Sequence, residues 1–288
     1  MAERMTDTLL FSRVCSVNIG GVRVVHQGGT GPRMVFRVVK TLKKEPNTCE
    51  VRVYNLALAT RTQMQRVAVP VILTAGYPGN EAVIFSGDAR TVDHVREGSD
   101  WITKARCGDG ERAYAWTQVS ESFAPGTAIA TILRHLARAM GLRSGNLDAV
   151  ISSGGFRGAL TQFAHGYVVH GKASIELTTL LRTCGCTWSS QNGALQIQRG
   201  ATPVPGQVPL LTPTTGLVGS PEHAAPDRKG QVSLLKTKSL LQPSLVCGGA
   251  VEIRSQSIAP RQFRIESLEI TGDTASLNWY SQIEGRPL

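Results

Sequence analysis

The sequence predicts a mainly β protein with a small α+β module in its middle. Three observations carry this expectation. Apolar and polar residues alternate with period two in both end segments, turn residues recur at hairpin spacing, and helical periodicity is confined to the centre.

In the first segment, strands are expected over Val22 to Val25 and Met34 to Val39, around the loop QGGTGPR. Cys49, Val51 and Val53 alternate with Glu50, Arg52 and Tyr54, the pattern of a half-buried strand. Val69 to Ala75, the turn YPGN and Ala82 to Ser86 read as one hairpin; Arg90 to Val95, the turn REGSD and Trp101 to Arg106 read as another. A short helix is placed at Thr60 to Arg66, with NLALAT ahead of it as the cap. So much antiparallel strand in one stretch suggests a barrel or sandwich.

The centre changes period. In IATILRHLARAMG, residues Ile129, Ile132, Leu133, Leu136 and Met140 fall at three- and four-residue steps, with Gly141 as the stop. A second helix is expected from Ser174 to Arg182, then a hairpin turning at Asn192-Gly193. The Pro-rich stretch ATPVPGQVPLLTPTTG reads as an extended linker. Beyond it, Gln231 to Lys238, Ala250 to Ser255, Gln262 to Ile270 and Ser276 to Ile283 are strand-like. Residues 144–160 match no pattern.

The 288 residues are 41% hydrophobic and 18% charged, enough apolar surface for two or three compact cores. The start, MAERMTDTLLFSRV, lacks the apolar region of a signal peptide, and no apolar run reaches the ~20 residues of a membrane span, so synthesis in the cytoplasm and no membrane-spanning segment are expected. Six irregularly spaced cysteines are read as reduced and mostly buried. A zinc site from Cys184 and Cys186 with His165 and His170 is disfavoured by the Cys-Gly-Cys spacing. The net charge of +10 calls for acidic partners, yet the basic residues are spread along the chain, with Lys40, Lys43 and Lys44 the densest cluster.

No catalytic constellation stands out. There is no GxSxG, HExxH or Walker loop; the Gly-rich loop at 28–32 sits inside a hairpin; Asp88, Asp93, Glu97, Asp109 and Asp273 lie in or near turns, where aspartate satisfies backbone groups. Catalytic, cofactor and metal residues are therefore expected to be absent. Two function classes are weighed: a cell-wall hydrolase and a nucleic-acid-binding β protein. The middle helices carry Arg134, Arg138 and Arg182 with Glu176 as their single acid, which argues against the first; charge alone favours the second.

Further definition comes from resemblance. Residues 34–61, MVFRVVKTLKKEPNTCEVRVYNLALATR, look like the N-terminal barrel of phage baseplate hub proteins, with Lys40-Thr41, Pro46-Asn47 and Tyr54-Asn55-Leu56 at the family's motif positions. TGLVGSPE, containing Gly216, is a second match. QVSLLKTKSLLQPSLVCGGAVEIRS resembles the family's strand, Leu-x-Pro-x-Leu turn and strand, with Leu241, Pro243 and Leu245 in the turn; Cys247 departs from the polar loop expected there. The end resembles the closing hairpin, with Gly272-Asp273-Thr274 at its turn and Trp279 opening the last strand.

The resemblance, which extends to late-control D proteins and type VI secretion spikes, implies a homotrimer of subunits with two barrel-like tube domains each. On that basis residues 1–115 are a first tube domain, 116–200 the α+β module, 201–213 a linker and 214–288 a second tube domain. It implies a virion protein of the tail baseplate that contacts the tail tube, the central spike and baseplate wedge proteins, while DNA passes through the lumen without specific binding. Arg134 and Arg138, four residues apart on one helical face, suit an acidic partner; with Lys40, Lys43, Lys44, Lys236 and Lys238 they are expected at protein interfaces or outward. Trp279 is expected to be largely buried.

Overall fold

Alternation in the two end segments resolves into one large sheet. A computed structural model describes residues 12–64, 68–154, 156, 162–224 and 233–288. The first segment forms β1 (Val14–Ile19), β2 (Val22–Gln27), β3 (Met34–Thr41), β4 (Thr48–Tyr54), α1 (Leu58–Met64), β5 (Pro70–Tyr77), β6 (Asn80–Glu97) and β7 (Asp100–Gly108). The centre forms α2 (Glu111–Trp116), β8 (Gln118–Phe123), β9 (Thr127–Ala128), α3 (Ile129–Ala139), α4 (Leu147–Ser152), β10 (Gln162–Phe163), β11 (Tyr167–Lys172), α5 (Ala173–Thr183), β12 (Cys186–Gln191) and β13 (Ala194–Arg199). The last segment forms β14 (Leu210–Leu211), β15 (Leu217–Ala224), β16 (Leu234–Leu240), β17 (Ala250–Ile253), β18 (Arg261–Asp273) and β19 (Trp279–Pro287).

The sheet runs β15-β16-β19-β18-β3-β4-β7-β6-β5-β1-β2, with β17 beside β18 and β14 beside β17. The end segments meet at β3 and β18, which pair antiparallel with Arg37 opposite Thr271 and Val39 opposite Glu269. They share one core, in which Met34, Phe36 and Phe85 from the first segment join Phe263, Ile270 and Trp279 from the last. The central module has its own core: the inward stripe of α3 (Ile132, Leu133, Leu136) meets Leu177 and Leu181 of α5 and Trp188 and Leu195 of the β12–β13 hairpin. The α3 helix ends where expected. Gly141, at φ 68°, lets its own N–H reach the carbonyl of Arg138 and that of Leu142 reach Ala137.

Three local expectations change. Ala82 to Ser86 and Arg90 to Val95 belong to one 18-residue strand, β6, because Gly87 marks a close approach instead of a turn: a Cβ there would lie 2.4 Å from the Gly108 carbonyl oxygen. The Pro-rich stretch contains β14, which pairs parallel to β17 and buries Leu211. Within 144–160, α4 places Leu147 in the module core, while 155 and 157–160 lie outside the described residues. The end of the helix expected at Thr60 to Arg66 and the first two residues of the strand expected at Gln231 to Lys238 also lie outside them. Among the described residues no helix is long and apolar enough to cross a membrane.

Candidate functional site

A buried polar cluster joins the sheet to the central module. The tip of the β12–β13 hairpin is a tight turn in which Asn192 (φ 55°) and Gly193 (φ 74°) both take left-handed backbone, the conformation that Asn-Gly adopts most readily. This turn lands on Asp109, just past the end of β7 and fully buried. One Asp109 carboxylate oxygen accepts the Asn192 backbone N–H at 2.6 Å; the other accepts the Gly193 N–H at 2.8 Å and the Ser190 hydroxyl at 3.0 Å. Asn47 completes the joint. Its side-chain amide donates to the Ser190 carbonyl at 2.7 Å and to Gln191 Oε1 at 3.2 Å, and its own oxygen accepts the Thr41 N–H at 2.9 Å. Gln191 returns a bond to the Thr41 carbonyl at 2.8 Å.

Lys40 is the charged member of this cluster. It is 7% exposed, and its ammonium donates to Asn192 Oδ1 at 2.8 Å, which corrects the expectation that Lys40 points to a protein interface or outward. The reason is register: Met34, Phe36, Val38 and Lys40 are the inward residues of β3, and the hairpin tip supplies an oxygen where lysine would otherwise be desolvated alone. Burial lowers the Lys40 pKa to about 8, against the opposing attraction of Asp109. Lys43, Lys44 and Lys236 are exposed, and Lys238 lies over the Tyr280 ring at 3.9 Å.

The other motif residues fall into separate clusters. Asn55 takes left-handed backbone at φ 56°, accepts the Trp101 N–H at 3.0 Å and donates to Asp100 at 2.9 Å, tying the end of β4 to β7; Tyr54 lies under Arg33, and Leu56 is buried. Gly216, at φ 104°, offers its carbonyl to the Leu240 N–H. Pro243 is buried against Gly76, so the Leu-x-Pro-x-Leu turn packs on β5. Cys247 is also buried and its thiol donates to the Glu266 carbonyl at 3.5 Å, which explains how an apolar thiol replaces a polar loop there. Pro46 is half-buried beside Asn47.

Gly272, Asp273, Thr274 and Trp279 lock the two end segments together. Arg33 grips Asp273 with two hydrogen bonds of 3.0 and 2.7 Å, and Thr274 accepts the Met34 N–H at 2.9 Å. Burial raises the Asp273 pKa, but the hydrogen bonds from Arg33, the Ala275 N–H and Ser276 outweigh it and hold the carboxyl below its usual range. Trp279 is 2% exposed and meets Phe36 edge-on at 5.3 Å. On the module surface Arg134 is held by Asp148, and Arg138 is exposed.

All six cysteines are buried and none is in a disulfide; burial pushes Cys15 and Cys247 up to about 12, so these two thiols stay protonated. Among the described residues no three His, Cys, Asp or Glu side chains gather as metal ligands. Glu176 accepts a hydrogen bond from Tyr167 at 3.3 Å. Asp109 and Asn192 escaped the sequence reading as a site because each was explained locally, as a turn residue, and nothing in the chain marks that the two turns meet.

No family model and no curated protein matches the chain. Solved structures do. A 43 kDa tail protein of prophage MuSo2 from Shewanella oneidensis superposes with a TM-score of 0.65 at 10% identity, over 96% of this chain and 97% of that one. A tail protein of Neisseria meningitidis MC58 gives 0.61 at 8% identity, over 96% and 97%. An Escherichia coli component of the type VI secretion system, described as similar to the T4 bacteriophage tail proteins gp27 and gp5, gives 0.57 at 10% identity, over 94% and 76%. The chain has the fold of phage tail proteins and of type VI secretion spike-related proteins.

Proposed function

We propose that this chain is a non-enzymatic structural subunit of a phage tail baseplate hub, a homotrimeric ring that connects the tail tube to the central spike. The observation that carries the reading is the end-to-end correspondence of its fold with phage tail proteins, over 96% of this chain and 97% of the Shewanella oneidensis protein. The joining of two strand sets in one sheet supports it, because three copies would then present six β units to a sixfold tube. In this assembly the spike binds below, wedge proteins contact the outside, and DNA crosses the lumen without being held. The test is negative-stain imaging and mass photometry of the purified chain mixed with its spike and tube proteins. A threefold ring is expected; a chain that stays monomeric with both partners present overturns the proposal.

A further inference from the structure

Lys40 and Asn192 stand 152 residues apart in the chain, one on the sheet and one on the central module, yet their side chains touch at 2.8 Å. We propose that these two residues form an intramolecular isopeptide bond, a covalent staple between β3 and the β12–β13 hairpin. The inference is independent of the hub reading.

Four features equip the pair for this step. The nucleophile is buried, and its pKa of about 8 leaves an appreciable neutral fraction at mildly alkaline pH, whereas an ordinary lysine, near 10.5, is almost wholly protonated. The electrophile is activated: Asn192 Oδ1 also accepts the Ser86 backbone N–H at 3.2 Å, a donor placed where negative charge develops during attack. The pair is held in place, since Asp109 fixes the backbone of Asn192 and Gly193 at 2.6 and 2.8 Å. Lastly, Lys40 and Asn192 both border a cavity of about 320 Å³, which gives the leaving group a path out.

The step balances without an oxidant or cofactor. Neutral Lys40 Nζ shifts from the amide oxygen to the amide carbon of Asn192 and adds to it, placing the electron pair on Oδ1. Collapse restores the carbonyl and breaks the Cγ–Nδ2 bond. A proton lost by the lysine nitrogen goes to the departing nitrogen, which leaves as ammonia. The competing reaction at an Asn-Gly pair is attack by the glycine nitrogen; here the Gly193 N–H is committed to Asp109.

Intact-mass spectrometry with peptide mapping of the full chain, aged at mildly alkaline pH, tests the proposal. The expected result is a mass lower by one ammonia and a branched peptide joining the Lys40 and Asn192 segments. Both should vanish in Lys40→Arg and in Asn192→Gly, the second of which tolerates the left-handed turn and guards against a folding defect in the first. A wild-type mass equal to that of the sequence overturns the proposal. So does an ammonia loss that survives in Lys40→Arg, which would mark ring closure at Asn192-Gly193, or conversion of Asn192 to aspartate.

Discussion

Gly272 lies where β18 passes between two aromatic rings: a Cβ there would sit 2.2 Å from the Phe36 ring and 2.8 Å from Trp279. Gly272→Ala must push apart the packing that closes the two end segments, and a loss of roughly 1–3 kcal/mol is expected, read from urea unfolding. The neighbouring Asp273 offers a test with a definite sign. Its pKa is lower in the folded state than in the unfolded chain, so its contribution is fully present above the ordinary carboxylate value of 3.8 and is lost as pH falls through the depressed folded value. The stability gap between wild type and Asp273→Asn should therefore be constant near neutral pH and shrink in strong acid. A gap that widens on acidification would contradict the Arg33–Asp273 account.

Among the elements, the central module depends on the apolar stripe of α3 against α5. Leu136 and Leu177 are both fully buried there, and replacing either with alanine should destabilise the module by about 2–5 kcal/mol. Because this core is separate from that of the sheet, limited proteolysis of these variants should cut first within 116–200. The hairpin joint behaves differently. Asp109→Ala strips the acceptor from two part-buried backbone N–H groups and the buried Ser190 hydroxyl at once, and the hydroxyl alone is left unpaired at roughly 1–3 kcal/mol. Here the expected effect is faster hydrogen exchange at Asn192 and Gly193 while the module helices keep their protection; uniform loss of protection would mean that the joint is part of the module's own stability.

For the whole molecule, the excess of ten positive charges is consistent with acidic protein partners, and it persists beside local ion pairs on the sheet: Arg37 pairs with Glu269, Lys104 with Glu97 and Lys236 with Glu284. Exposed pairs of this kind contribute little stability, so their main effect is to reduce the local field. Because the basic residues are spread along the chain, retention on DNA should be weak and erased by moderate salt, and a cell-wall zymogram should show no clearing. Lytic activity that disappears in Glu176→Gln would overturn the structural reading in favour of a hydrolase.

Local rules made part of this protein legible. Alternation placed Cys49, Val51 and Val53 inward on β4, three- and four-residue steps located α3, and Asn192-Gly193 marked its own turn, because each signal depends on backbone geometry within a few residues. The same alternation puts Lys40 on the inner face of β3; only its charge argued for the outside, and that argument failed because the compensating oxygen comes from a distant hairpin. Tertiary structure alone decided the pairing of β3 with β18, the continuity of β6 through Gly87 and the convergence on Asp109. Those features arise from contacts between segments tens to hundreds of residues apart, whose energy depends on which surfaces meet and leaves no period in the chain for a sequence to display.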